Sequence, residues 1–329
     1  MKNWFQDKNI LRDATLTVCF VLFVPTIFAG AIEPTELDKA IQRSIHYLAV
    51  EVPQWQKEND CASCHNQGDA SRALIEAHRQ KLFNGQSSLQ TSIDWIGQPG
   101  HWELNRGLPE ANDPTLSNLQ FASTLLAAHK VLRPMPDAVK QAAEILAPLQ
   151  QNDGAWIIAG GSQFGSPLTH GPILLTGQAT SILKAAESPK FVAQARRAEQ
   201  WLREQSPRNT IEASSLLLIS SELGWVHPQA SRCLQIIFQS QSDAGGVGPY
   251  AIAQDENFDT ALAVLAVDKS PRNPANTKFQ DNAVKYLLSM QGEDGSWSET
   301  TRPSGTESYA HRISTTGWAL QALLAHRAN

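Results

Sequence analysis

Residues 61 to 65 read Cys-Ala-Ser-Cys-His, two thiols three positions apart with an imidazole directly after the second. One helical turn separates such thiols, so they can reach the two vinyl groups of a haem while the adjacent imidazole ligates its iron. The expectation is one covalent haem c, with Cys61 and Cys64 as thioether anchors and His65 as an axial ligand. The same thiol pair also admits a structural disulfide, a zinc site or a thioredoxin-like redox site. Zinc needs a second pair of ligands and a redox disulfide needs a β-α-β setting, and neither is visible in the sequence.

An axial histidine leaves a second position on the iron. Met135, in "LRPMPDA", is one candidate, because Met before Pro resembles the distal segment of class I cytochromes c. The segment "CASCHNQG" likewise resembles their attachment site. The other candidates are His101, His170 in "SPLTHGP" and His311 in "SYAHRIS", which stand in loops just before apolar helical runs, as His65 does. Among the carboxylates, Glu212 and Asp259 lead two such runs. They are candidates for an acid/base pair or for anchoring a ligand beside the haem.

The compartment agrees with haem attachment, which takes place outside the cytoplasm. Lys2, Lys8 and Arg12 precede the apolar run "ATLTVCFVLFVPTIFAGA", which ends in Ala29-Gly30-Ala31. A basic region, an apolar core and small residues at the cut are the marks of an export signal, here residues 1–31, which would contain Cys19. A periplasmic or other extracytoplasmic location follows. An uncleaved N-terminal membrane anchor is the alternative, since the run approaches bilayer-spanning length. With 42% hydrophobic and 18% charged residues, residues 32–329 have ample material for a core, read here as a single domain with no further span. A net charge of −5 gives no basic surface for nucleic acid.

Helical periodicity runs through that domain without a convincing strand. "QGDASRALIEAH", "LQFASTLLAAHKVL", "TGQATSILKAA", "TIEASSLLLISSELG", "NFDTALAVLAV" and "STTGWALQALLAH" share one form: a polar leader, small residues, then an apolar run. The leaders are Asp69, Gln120, Gln178, Glu212, Asp259 and Thr316, read mainly as N-caps. Charged amphipathic helices such as "DAVKQAAEILAPLQQ" and "FVAQARRAEQWLREQ" alternate with them. Six such pairs predict an all-α, closed (α/α)6 toroid with apolar helices inside and charged ones outside; an open superhelix is the alternative.

The turns "LQQNDGAW", "SQSDAGGVGPY" and "MQGEDGSW" resemble the Gln-Trp repeats of the squalene-cyclase and protein-prenyltransferase toroid superfamily. The resemblance implies that fold and a small or apolar ligand in the cavity. Class II cyclases of that superfamily protonate their substrate from the third residue of Asp-x-Asp-Asp-Thr-Ala. The matching stretch here is Glu256-Asn257-Phe258-Asp259-Thr260-Ala261, so the acid position holds Phe258. A phenyl ring cannot give a proton, and ordinary squalene cyclisation is not expected. The prenyltransferases' Asp-x-Cys zinc pair is also missing. The expected function is therefore electron transfer, with a redox partner protein, or haem-dependent redox chemistry on the cavity's ligand. A haem-free ligand- or protein-binding toroid, or a diverged terpenoid cyclase or prenyltransferase-like enzyme, is the alternative.

Overall fold

Charged and uncharged helices alternate along the chain because they occupy two different environments. The structure is a computed structural model that describes residues 34–104, 113–158, 165–167, 169–299, 302 and 307–328. The outer helices are α1 (Pro34–Asn59), α3 (Gln86–Ile96), α5 (Pro136–Leu146), α7 (Val192–Glu204), α9 (Ala230–Gln239) and α11 (Pro274–Met290). The inner ones are α2 (Ser71–Arg79), α4 (Pro114–Val131), α6 (Gly171–Ala185), α8 (Thr210–Glu222), α10 (Asn257–Asp268) and α12 (Tyr309–Arg327). A short π-helical segment, Cys64–Ala70, runs directly into α2.

Outer α7 buries only Ala195, Ala198 and Leu202, a single stripe at helical spacing. Inner α8 is buried from Thr210 through Ser220, which suits a helix packed on both sides. The inner helices contact one another in chain order, and α12 packs back onto α2 and the π-helical segment, so the ring closes. This is the expected α/α toroid of six helical pairs. No strand occurs among the described residues, where the β-bridges Gln241–Val247 and Gln291–Trp297 are isolated features of turns.

Those turns lock neighbouring pairs together. Gln150, Gln241 and Gln291 each donate from Nε2 to the carbonyl of the glycine four residues on, Gly154, Gly245 and Gly295, at 3.0, 3.0 and 3.1 Å. The same amides reach the next outer helix at the carbonyls of Gln194, Phe279 and Ala40. From the inside, Thr176, Thr260 and Thr316 accept the backbone N–H of Trp156, Val247 and Trp297. The indole N–H groups of Trp156 and Trp297 go to the carbonyls of Leu146 and Leu287. Because Ala40 lies in α1, the Gln291 turn is the clasp between the last outer helix and the first.

Gly295 has φ +90°, and a Cβ there would stand 2.5 Å from the carbonyl oxygen of Arg43 in α1. Gly224 has φ +82° with nothing near its missing Cβ. Gly295→Ala should therefore cost about 3 kcal/mol in urea unfolding, and Gly224→Ala only about 1 kcal/mol, the backbone part alone. Equal costs would show that α1 yields without resistance.

The leaders do not cap helices as expected. Gln120, Gln178 and Thr316 lie about two turns inside α4, α6 and α12, because those helices start further upstream. Pro114 and Pro172 occupy first-turn positions, where a missing N–H costs nothing. The side-chain caps are Asp113, Asn209, Asn273 and Ser308. The expected export signal, with Cys19, lies outside the described residues. Residues 31–329 form one compact unit. Among the described residues no helix is long and apolar enough to cross a membrane.

Candidate functional site

The π-helical segment is pinned at its start. Ser63 Oγ accepts the Asn66 N–H at 3.0 Å, and Gln67 Oε1 accepts the Ser63 N–H at 2.7 Å. Asn66 and Gln67 then donate to the carbonyls of Glu51 and Val52, tying the segment to α1. Between these anchors sit Cys61, Cys64 and His65. No bond joins the two sulfurs in the structure. Burial pushes the Cys64 thiol up to about 12, so it stays protonated near neutral pH. Burial lowers His65 to about 4, so its imidazole is neutral. The ring is 7% exposed and its Nε2 has no partner. Trp55 and Tyr309 meet His65 edge-on, with centroids at 4.9 and 5.7 Å, and stack on each other at 5.3 Å.

A second polar centre follows immediately. Asp69 is fully buried, and its Oδ1 takes a hydrogen bond from Arg72. Arg72 Nη1 also donates to Gln120 Oε1 at 2.8 Å, which turns Gln120 Nε2 toward His170 Nε2, again at 2.8 Å. That amide must donate, so His170 accepts on Nε2 and carries its proton on Nδ1, facing Gln178 Oε1 at 3.3 Å. Asp69 Oδ1 lies 3.2 Å from the same Nε2. His170 is held at φ +56°, in the left-handed region, just ahead of α6. Such strain persists only where surrounding contacts over-determine it, and it gathers at working sites. Trp318 meets His170 edge-on at 5.4 Å and Phe258 at 5.6 Å. Side chains from the π-helical segment, α4, α6, α10 and α12 thus converge at one end of the ring. Asp69 Oδ2, Trp318 Nε1 and Ser314 Oγ are buried there without partners.

Glu212 and Asp259, the expected acid/base candidates, each bind an arginine. Arg302 clamps Asp259 with both Nη atoms, at 2.7 and 2.9 Å, and bonds Glu256 at 2.6 Å. Asp259's acidic neighbour is therefore Glu256, raised to about 7 by burial and by the Asp259 charge. Burial also raises Asp259 itself. Glu212 instead holds Arg208, one turn earlier, at 2.6 Å. Sequence reading missed Arg72, Arg208 and Arg302. The first two stand three and four residues from their carboxylates, a helical-pair signal that could have found them. Arg302 lies in a loop 43 residues from Asp259 and carries no such signal.

The four candidate distal ligands separate cleanly. His101 is exposed on a 3-10 turn, Pro99–Leu104. Met135 caps α5 beyond the C-terminal end of α4, the end of the ring away from His65, and its backbone N–H bonds His129. His170 belongs to the Asp69 network. His311 is buried, with Nε2 unpartnered and Nδ1 2.7 Å from Ser308 Oγ. No cluster of three or more His, Cys, Asp or Glu side chains fit to hold a metal ion occurs among the described residues.

No protein-family model matches the chain. No curated protein sequence matches it either. Solved structures do match in shape. The apo form of the type II terpene cyclase MstE from Scytonema superposes with a TM-score of 0.60 at 14% identity, over 90% of this chain and 99% of its own. A protein from Actinoplanes gives 0.56 at 16% identity, over 89% and 100% of the two chains. The ent-copalyl diphosphate synthase from Streptomyces platensis gives 0.52 at 15%, over 77% of this chain and 50% of its own. A variant of MstE is known in complex with its substrate, geranylgeranyl dihydroxybenzoate. At these identities the likeness establishes the terpene-cyclase-like α/α toroid fold.

Proposed function

We propose that the toroid binds a small, largely apolar ligand of the isoprenoid class at the ring end where Asp69, His170 and Trp318 meet, as a diverged terpenoid-cyclase-like protein. The observation that carries this reading is Asp69 Oδ2, a buried carboxylate oxygen without a partner, on a residue 3.2 Å from the His170 ring that Trp318 meets edge-on. A carboxylate held on Oδ1 by Arg72 calls for a hydrogen-bond donor on its other oxygen, such as the hydroxyl of an isoprenoid alcohol. If the ligand reacts, Asp69 is placed to take its proton while Arg72 holds the carboxylate in position on Oδ1. The cyclase acid position offers no proton, since Phe258 is fully buried against Trp318. Calorimetric titration with farnesol tests the reading. Saturable binding is expected, weakened about tenfold or more in Asp69→Asn, the scale of one hydrogen bond to a charged group. No binding, or equal binding by the variant, rejects it.

A second reading, haem c at Cys61, Cys64 and His65, is favoured by two uncrosslinked thiols beside a neutral imidazole whose Nε2 is buried and unpartnered. These residues suit the group: Cys61 and Cys64 would carry the thioethers and His65 would take the iron. When bound, haem would supply one-electron chemistry there. Export to an extracytoplasmic compartment and a redox partner protein belong to the same proposal. The test is the pyridine haemochrome spectrum and intact mass of protein made with haem-maturation machinery. Absence of added haem mass, with both thiols titratable, rejects this reading.

A further inference from the structure

We infer that His311 is the second axial ligand of a haem iron bound by His65. The inference rests on the haem reading above and adds to it the identity of the opposing group. His65 and His311 are each more than nine-tenths buried, and each has an Nε2 with no partner. A buried ring nitrogen left without a hydrogen bond is costly, and two such nitrogens beside free thiols point to a shared occupant. They come from elements in direct contact, since α12 packs onto the π-helical segment that carries His65. Tyr309, in the same first turn of α12 as His311, is edge-on to the His65 ring and accepts from Asn66 Nδ2 at 3.0 Å.

The orientation of His311 also suits a ligand. Ser308 Oγ, the cap of α12, takes the backbone N–H of His311 at 3.1 Å and faces its Nδ1 at 2.7 Å. A ring that donates from Nδ1 to this hydroxyl presents the Nε2 lone pair, the form and support that metal-ligating histidines use. The other candidates are engaged or remote: His170 by Gln120 and Gln178, His101 at the surface, and Met135 beyond the other end of α4.

The experiment uses the haem-loaded full chain, with intact mass confirming covalent haem in every variant and resonance Raman markers reporting spin state. Wild type is expected to be six-coordinate and low-spin. His311→Ala should become high-spin, with added imidazole restoring the low-spin state, while His101→Ala stays as wild type. His311→Met, which keeps an apolar ligating side chain in place, should stay low-spin with a raised reduction potential, as Met/His ligation does. Covalent haem with an unchanged low-spin spectrum in His311→Ala, or an unchanged potential in His311→Met, overturns the assignment of His311 alone. A wild type without covalent haem overturns the haem reading and this inference together.

Discussion

Asp69→Leu should destabilise the toroid by about 3–5 kcal/mol, and adding Arg72→Met should recover most of that loss. The Arg72 side chain is 11% exposed, and burial pulls its pKa down while the charge of Asp69 holds it up. Without Asp69, the guanidinium keeps only neutral acceptors of Gln120 among the described residues, Oε1 at 2.8 Å and the carbonyl at 3.5 Å. A buried charge with a neutral partner is the costly state, whereas two apolar side chains of similar volume are tolerated. Gln120 would lose its orientation as well, and with it the donor that fixes the His170 tautomer. Urea unfolding of the two single variants and the double variant yields the coupling energy directly. A cost below about 1 kcal/mol for Asp69→Leu would mean that Arg72 is solvated and that the network does not hold this end of the ring together.

On the haem proposal, replacing Cys61 and Cys64 with serine should abolish covalent haem completely, while the fold of the haem-free protein stays unchanged to within about 1 kcal/mol. The two halves of this expectation have different origins. Thioether attachment requires both sulfurs for the full double linkage, so the pair of substitutions removes it. The stability statement follows because neither thiol is cross-linked and Cys61 is only half-buried. A structural disulfide would behave in the opposite way. Its loss commonly costs about 2–5 kcal/mol in small exported domains and would appear in the melting curve without any haem. Melting curves of wild type and the double serine variant, each in oxidising buffer and in reductant, therefore distinguish the two roles of the same residues.

The ring was legible because its causes are local. The inner helices other than α2 are apolar nearly all round, each outer one carries a stripe, and the Gln and Gly-x-Trp spacing is set inside one turn. The interior contacts were not legible for the opposite reason. Asp69 and His170 lie 101 positions apart, and nothing in either neighbourhood of the sequence marks the other. Glu212 and Asp259 stood out as carboxylates at corresponding repeat positions, but position in a repeat does not decide partners, and an arginine had claimed each of them. The leaders failed as caps because Pro114 and the Gly171-Pro172 step read as loop while in fact opening helices. Helix start signals locate a boundary less well than they identify a helix. The cysteine motif remains a reading of spacing alone, to which the structure adds the packing of α12, the helix of His311, onto its segment.

The clasp between α11 and α1 sets an order of events during synthesis. Asn66 and Tyr309 are 243 residues apart, and Arg327 reaches back to Asp38 at 2.7 Å, so the first and last helices meet only when nearly the whole chain exists. Contacts of such long separation form late, after local helical pairs. Until α12 arrives, the segment holding Cys61, Cys64 and His65 lacks the wall that later covers it. A modifying enzyme would find His65 accessible on the unfinished chain and covered on the finished one, where Cys61 and Cys64 stay half-buried, so closure of the ring sets a time limit on chemistry that needs the imidazole.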